Sequence, residues 1–587
     1  MRYYHYCFFS LLFGLVLASS CKKVKEDVFF DRKDILNNPS STIRIYNFTN
    51  GLLNISVNNL QLTSFVAAKD VNAPPTTGTQ LGLSFFPRGV WPSKDDGSPI
   101  TLPSALLDKN NRARIYIVPG YDKDNQDAIV PGLQVDTVLQ DDPLHPKDYF
   151  LLSNGHFLSI PRSAVVPAAP DHFKLRVLNF GDAHDTLDLG GAVTVTYADG
   201  RPVSQALTDV QTGAASDYAE VPYGTYQFKL FVNNNHQKQL CELPITPFFD
   251  VCQGGIKPQS KISPIIKTFK PGGTYSIIVT KNSFLYGGCG PEDKVYLNIN
   301  SYRIVAENSP PLNISYARLM GVNALTGESV VFKLDGQNMG EAQLASGKST
   351  DASIVITGTH TISAYNAAGT LLVEKKYRFS AADYTTAWVY KKDGKPELVF
   401  TSNNMAISHY VSLPGDDGTN GSQNIATFDY AWQGRFLNLS NDVPYATFTS
   451  QDGENFINLQ SWGDTLNPPA SYQNLERGKP IEHEPFVIIL CSNYNGSKTP
   501  QDAALFGSMP SLIRVFQSSP GPLGQTPGDW LSAVTPLASQ DFIANRALYE
   551  TGLPQTEAGT YSIALIGSLN SSDDQQKARL IFVKHNR

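Results

Sequence analysis

Leu175-Arg176-Val177-Leu178-Asn179-Phe180 returns along the chain as Ile43-Arg44-Ile45-Tyr46-Asn47-Phe48 and Gly434-Arg435-Phe436-Leu437-Asn438-Leu439, each an Arg-x-x-Asn followed by an apolar residue. A degraded copy, Ala317-Arg318-Leu319-Met320-Gly321-Val322, carries Gly where the others carry Asn. Alternate residues of a β-strand face opposite ways, so Ile43, Ile45 and Asn47 share one face and Arg44, Tyr46 and Phe48 the other. An Asn at a strand end bonds neighbouring backbone groups and tolerates a left-handed turn, which makes it a brace for the following loop. Packing alone explains the motif; the alternative is a recognition role for Arg44, Arg176, Arg318 and Arg435. The uneven spacing of these arginines indicates tandem domains with insertions rather than a tight solenoid.

A second signature, Gly-Thr-Tyr, stands at Gly224-Thr225-Tyr226, Gly273-Thr274-Tyr275 and Gly559-Thr560-Tyr561, with Gly358-Thr359-His360 as a variant. Apolar residues alternate after it, as in Tyr275, Ile277 and Val279, the pattern of half-buried strands. Here Gly is expected to supply a permissive turn and Tyr to bury its ring while its hydroxyl reaches backbone. Composition agrees with a strand-rich chain. Charged residues are 17%, below the ~25% usual for soluble domains, and there are 27 Tyr, 31 Phe, 45 Gly and 38 Pro. A length of 587 residues corresponds to roughly three to five domains. The net charge of −6 offers polyanions no electrostatic footprint, which excludes nucleic acid as the expected partner, and 41% apolar residues are ample for cores.

Arg-x-x-Asn opening a module, Gly-Thr-Tyr near its middle and Phe269-Lys270-Pro271-Gly272-Gly273-Thr274-Tyr275-Ser276 near its end together resemble the domain-of-unknown-function family 4397 of secreted and surface lipoproteins. The resemblance is clearest over residues 172–281, weaker over 434–567 and 314–400, and limited to the first strand over 41–170. It implies an all-β fold of tandem immunoglobulin-like or transthyretin-like β-sandwich modules, each about 100 residues long, and it brings no catalytic residue. Breaker-rich stretches at 161–170, 308–311 and 414–422 divide the chain. The expected modules are 41–170, with a long insertion, 171–308, 312–402, and 425–587, with another insertion.

Ahead of them, Arg2 and the apolar run Tyr6–Ala18 have the charged and hydrophobic regions of a secretory signal, expected to occupy residues 1–20. Ala18, Ser19 and Ser20 before Cys21 resemble a lipobox, with Ala18 in the place usually held by Leu. That resemblance implies a diacylglyceryl group on Cys21 and a lipid-anchored tether over 21–40, the alternative being an ordinary cleaved signal. Lys25, Glu26 and Asp27 resemble the surface-export signal of Bacteroidota lipoproteins, against a plain solvated tether. The expected location is the outer membrane, facing the exterior.

Cys241, Cys252, Cys289 and Cys491 remain, and an oxidising envelope permits disulfides among them. A Cys241–Cys252 bridge is one candidate, and Cys491, ending an apolar run, reads as a buried thiol. No catalytic constellation is found: Gly347-Lys348-Ser349 lacks the upstream Gly of a phosphate loop, and Glu482-His483-Glu484 reads as an exposed loop. No cofactor is expected. Metal ligation is not expected either, Asp122, Asp124 and Asp127 forming only a weak calcium candidate that lacks the Gly and distal Glu of an EF-hand. For sugar stacking, Trp91 and Trp462 lie beside turns, whereas Trp388 and Trp432 read as core. Asp136-Thr137-Val138, Asp185-Thr186-Leu187 and Asp464-Thr465-Leu466 resemble an O-glycosylation acceptor. The leading functional expectation is a non-enzymatic surface lipoprotein acting as an adhesion, scaffold or ligand-binding module, with glycan or another surface protein as partner. The alternatives are a carbohydrate-binding lipoprotein of a glycan-uptake system, a fimbrial or anchor subunit, and an envelope hydrolase.

Overall fold

The computed structural model describes residues 40–587 apart from 67–78, 81–98, 120–132, 183–188, 233–237, 243–248, 251–256, 259–265, 288–293, 411–424, 466–471, 481–485, 491–504, 521–526, 549–556 and interruptions of up to four residues. The protein is all-β, and among the described residues helix occurs only as short 3-10 turns. It divides into two compact units, the first ending at Arg162 and the second running from Ser163 to Arg587.

Each of the four Arg-bearing strands lies parallel to a strand late in its own module. These pairs are β1 (Ser40–Asn47) with β2 (Lys147–Leu151), β3 (His172–Phe180) with β4 (Thr274–Gly287), β5 (Tyr316–Asn323) with β6 (Tyr384–Lys392), and β7 (Asp429–Ser440) with β8 (Gly559–Gly567). The third module shows the plan most fully. Its first sheet runs in the order Ser353–Ile356, β5, β6, Lys395–Ser402, and its second in the order Gln337–Asn338, Val330–Leu334, Gly358–Asn366, Leu371–Phe379. In chain order these are strands four-one-seven-eight facing strands three-two-five-six. The first unit repeats that order in full: Ile100–Pro103, β1, β2 and Phe157–Pro161 lie over Leu60–Gln61, Leu53–Val57, Arg112–Pro119 and Val135–Gln140. The fourth module carries the same frame with added edge strands, whereas the second keeps the four-one-seven-eight sheet and has a reduced partner sheet of Val193–Thr196, Lys229–Val232 and Lys238–Gln239, with Gly224–Tyr226 and Lys267–Phe269 paired separately.

Alternation along the strands fills each sandwich. Leu175, Val177, Ile277 and Val279 point into one core with Val193, Leu230 and Phe269; Ala317, Leu319, Phe332, Ile362 and Val389 build the next. The repeated Asn closes the end of this inward face. Asn179 donates through Nδ2 to the Gly191 and Val210 carbonyls at 2.9 Å each, and Asn438 to those of Val443 and Leu475 at 3.0 and 3.2 Å. In the third module Asn323 does the same for Glu328 and Leu344 at 2.8 Å. The degraded copy is therefore read two residues out of register. Asn323, not Gly321, is the brace, and Met320 stands where Arg176 and Arg435 stand, with Arg318 one step outside. Gly321 faces the core, where a Cβ would lie 2.7 Å from the Phe332 ring.

The glycines of Gly-Thr-Tyr also differ from expectation. Gly224, Gly273 and Gly559 are not in the left-handed region, and a Cβ on them would sit 2.8, 2.5 and 2.7 Å from the ring of the Tyr two residues on. They are floors for a tyrosine laid across the strand. Its hydroxyl then reaches backbone four residues upstream: Tyr226 Oη donates to the Pro222 carbonyl at 2.7 Å and Tyr561 Oη to that of Glu557 at 2.9 Å. In the variant, His360 Nε2 meets the Ile356 carbonyl at 2.8 Å, and Nδ1 meets Asp335.

Within the second unit the modules are joined by burial. The outer faces of β5 and β6 present Met320, Val322, Tyr384, Trp388 and Tyr390 to Leu437, Leu439, Ala564, Ile566, Ile581 and Val583 of the fourth module, forming one apolar cluster. The second module is tied to the fourth by Glu557, which meets Lys229 at 3.1 Å and Lys584 at 2.9 Å; Lys229 also donates to the Ala198 carbonyl. Burial would raise the Glu557 carboxyl, but Lys584 and Lys229, with the Ala544 amide, bring it below its ordinary value.

Two stability outcomes follow in urea or thermal denaturation. Asn179→Ala, Asn323→Ala and Asn438→Ala each lose about 1–3 kcal/mol, because buried carbonyls are stranded, and Gly321→Asn destabilises rather than restoring a motif. Glu557→Gln costs about 3–5 kcal/mol by removing the buried carboxylate that Lys229 and Lys584 share.

Candidate functional site

The strands that pack the third module on the fourth share a gradient along their outward faces. Every second residue reads Arg318, Met320, Val322 on β5; Tyr384, Thr386, Trp388, Tyr390 on β6; Gln433, Arg435, Leu437, Leu439 on β7; and Thr560, Ser562, Ala564, Ile566 on β8. The final strand, Arg579–Lys584, runs antiparallel to β8 and continues into His585, so Ile581, Val583 and His585 follow the same gradient in reverse. The interface is apolar at one end and polar at the other. At the polar end the second module brings Thr225 and Thr268, and a cavity of about 330 Å³ opens among residues of all three modules.

Its lining comprises Thr225, Thr268, Arg318, Ala382, Tyr384, Asn403, Asn404, Gln433, Thr560, His585 and Asn586. No carboxylate is among them. Arg318 is 4% exposed; its guanidinium lies 4.0 Å from the Tyr384 ring centre and 5.0 Å from that of Tyr223, while Nη2 donates to Thr225 Oγ1 at 2.8 Å. Thr225 Oγ1 in turn meets Thr268 Oγ1 at 2.9 Å. Asn403 Nδ2 donates to Thr386 Oγ1 at 2.8 Å, Gln433 Nε2 to Thr560 Oγ1 at 2.9 Å, and the Thr560 amide to Asn586 Oδ1 at 2.7 Å. Each of these side chains spends one polar atom on the framework. A further polar atom of each, Arg318 Nε, Asn403 Oδ1, Gln433 Oε1 and Asn586 Nδ2, is buried without a hydrogen-bond partner.

His585 is the one lining residue that titrates near neutrality in the unfolded chain. Here burial, with the charge of Arg435, pushes its pKa down to about 3. Nε2 lies 2.8 Å from Ser562 Oγ, Nδ1 is 3.4 Å from Thr386 Oγ1, and the backbone carbonyl accepts from Tyr384 Oη. Ser562 does not line the cavity, and an imidazole so weakly basic is poorly matched to activating a hydroxyl at neutral pH.

The structure places the repeated arginines differently. Arg44 clasps Asp148 through Nε and Nη2 at 2.8 and 2.7 Å, and Arg162 meets the same carboxylate at 2.8 Å. Arg176 Nε lies 2.7 Å from Glu307, whose other oxygen accepts from Tyr218 Oη. Arg435 donates to the Ser402 carbonyl. Trp388 sits in the interface with Nε1 on Thr401 Oγ1, and Trp432 lies in the core of the fourth module. Gly347-Lys348-Ser349 is a turn with Gly347 at φ +83°. Cys21, Lys25, Glu26, Asp27, Trp91, Asp122, Asp124, Asp127, Cys252, Cys289, Trp462, the 482–484 segment and Cys491 lie outside the described residues, as does the side chain of Cys241. Sequence reading missed Trp530, 51% exposed beneath Arg514, and the amides of the cavity. Of these amides only Gln433 lies on the outward-face gradient, visible as alternating residues.

The His585 shift has a pH consequence. Its folded pKa lies below the unfolded value near 6.5, so the unfolded chain binds the proton more readily. Stability is complete above about pH 6.5 and falls as pH drops toward 3, by roughly 2 kcal/mol at pH 5. In denaturation series between pH 7 and 5, His585→Gln flattens this slope.

No protein-family model matches the chain, and no curated protein matches it. Among solved structures, a leucine-rich repeat protein from Bacteroides thetaiotaomicron is 10% identical over 37% of this chain and 26% of that one, with a TM-score of 0.09. The chain thus spans about a quarter of that protein. The Bacillus anthracis TIE protein is 10% identical over 59% of this chain and 75% of its own, with a TM-score of 0.12.

Proposed function

We propose that this protein is a non-enzymatic lipoprotein of the bacterial envelope, anchored in the outer membrane through Cys21 and displaying tandem β-sandwiches as a ligand-binding surface module. The observation that carries the reading is the union of three sandwiches around one polar cavity, built from groups that hydrogen-bond and from none suited to proton transfer near pH 7. Repetition of the four-one-seven-eight sheet through four modules, with the first and seventh strands parallel at its centre, supports the transthyretin-like member of the two expected sandwich types. The Arg-x-x-Asn and Gly-Thr-Tyr signatures support kinship with the family of unknown function 4397.

The carbohydrate-binding reading is favoured over adhesion by the cavity itself. Amides and threonine hydroxyls, which donate and accept in fixed directions, are the groups that recognise sugar hydroxyls.

Anchoring and display have direct tests. Radiolabelled palmitate fed to a producing bacterium is incorporated into the wild-type chain and lost in Cys21→Ala; an unlabelled wild-type chain overturns the anchor. Protease added to intact cells degrades the protein if it faces outward, and complete protection overturns surface display.

A further inference from the structure

Burying a guanidinium away from water is costly unless a counter-charge accompanies it. The buried Arg176 meets that requirement from within the chain through Glu307, and the half-buried Arg44 does so through Asp148. Arg318 is as deeply buried as Arg176. Yet it is paired with no carboxylate among the described residues, and it borders the cavity. Tyrosine faces and one threonine hydroxyl hold it in place. We propose that the cavity is a binding site for a sugar acid, a hexuronate or similar polyhydroxy carboxylate, whose carboxylate is recognised by Arg318 and whose hydroxyls are recognised by Asn403, Gln433 and Asn586. This deepens the ligand-binding reading above and rests on it.

The polar atoms without partners narrow the chemistry. Asn586 is oriented by the backbone amide of Thr560, so its free end is the Nδ2 donor. Asn403 and Gln433 offer carbonyl oxygens, which need donors from the ligand. These atoms are buried in the cavity wall, so each end reaches a guest only by rotation about its soft terminal torsion. A simple inorganic anion satisfies Arg318 but leaves both carbonyl oxygens unserved. A cationic amine satisfies the carbonyls but meets the charge of Arg318 with no lining acid to offset it. A neutral sugar serves the amides and leaves the arginine without its counter-ion. A molecule bearing one carboxylate and several hydroxyls serves all four side chains. The cavity, at about 330 Å³, is at the small end of ligand sites, which run from ~300 to ~1,000 Å³, and so fits a single sugar unit or the end of a chain.

The test is calorimetric titration of the full chain with galacturonate, glucuronate and N-acetylneuraminate, using galactose and inorganic phosphate as comparators. At least one acid is expected to bind with a dissociation constant of about 1 mM or tighter, and galactose and phosphate about tenfold more weakly or worse. Asn403→Asp, which sets a carboxylate in the cavity with almost no change of shape, is expected to weaken the acid by about tenfold or more while the thermal melt stays cooperative. Arg318→Gln is expected to abolish the preference for acid over galactose. Tighter binding of tri-galacturonate than of the monomer assigns the source to a polysaccharide end; equal or weaker binding assigns it to the free acid. Either supports the site. The proposal is overturned if none of the acids binds at about 10 mM, if galactose or phosphate binds as tightly as the best acid, or if a folded Asn403→Asp binds that acid unchanged. These outcomes are independent of palmitate labelling and protease exposure, so failure of the site and failure of the lipoprotein reading are told apart.

Discussion

A strand paired in parallel at the centre of a sandwich sheet must have both faces covered, because its sequence is apolar on both. In this protein the constraint falls on the first and seventh strands of each module. One face of the pair makes the sandwich core; the other must find a partner. For β5 with β6 and β7 with β8 the solution is mutual: Trp388, Tyr390 and Met320 on one side meet Leu437, Ile566 and Ile581 on the other. Tandem connection therefore does more than string domains together. It supplies the surface that the central pairs of the third and fourth modules need.

What cannot be covered by apolar packing is settled by charge. Arg176 and Glu307 neutralise one another on the outer face of the second module, with Tyr218 completing the set, and in the first unit Asp148 is shared by Arg44 and Arg162. Between the second and fourth modules the same logic joins Glu557 to Lys229 and Lys584. Pairs like these add little net stability over an apolar substitute, but removing one member is costly. The Glu557 set makes the join between the second and fourth modules specific, since a slipped arrangement would leave a buried charge alone.

The fold is legible in the amino-acid order because it is written in short period-two patterns. Ile43, Ile45 and Asn47, or Leu175, Val177 and Asn179, state by their alternation alone which face is inward, and the all-β class follows. The third module reads two residues out of place because Arg318 and Gly321 imitate the spacing of Arg176 and Asn179. What distinguishes them is tertiary: Gly321 is small because Phe332 lies against it, and Asn323 is the residue that reaches the Glu328 and Leu344 carbonyls. The glycines of Gly-Thr-Tyr read as turns for a similar reason, since a sequence shows that Gly is needed but not whether for its φ or for its missing Cβ. The cavity is not legible as a site. Its lining residues are scattered from Thr225 to Asn586, and no local spacing joins them. Their common property, a polar first outward residue on strands that later turn apolar, has meaning only once those strands face each other.

The site's dependence on three modules has an energetic corollary. Thr225 and Thr268 belong to one sandwich, Arg318 and Asn403 to the next, and Gln433, Thr560 and Asn586 to the last. A ligand that contacts all three binds the assembled unit and not its separated parts, so its binding free energy adds to the stability of the joins by mass action. The coupling runs both ways. Packing at Trp388 or the charge of Glu557, though neither residue lines the cavity, helps set how closely the cavity walls are held and therefore how well an amide fixed on one module aligns with an arginine fixed on another. Under the proposed ligand-binding reading, a polar pocket at the end of an apolar interface makes recognition a property of the tandem array, a physical reason for the chain to carry several copies of one small sandwich rather than one.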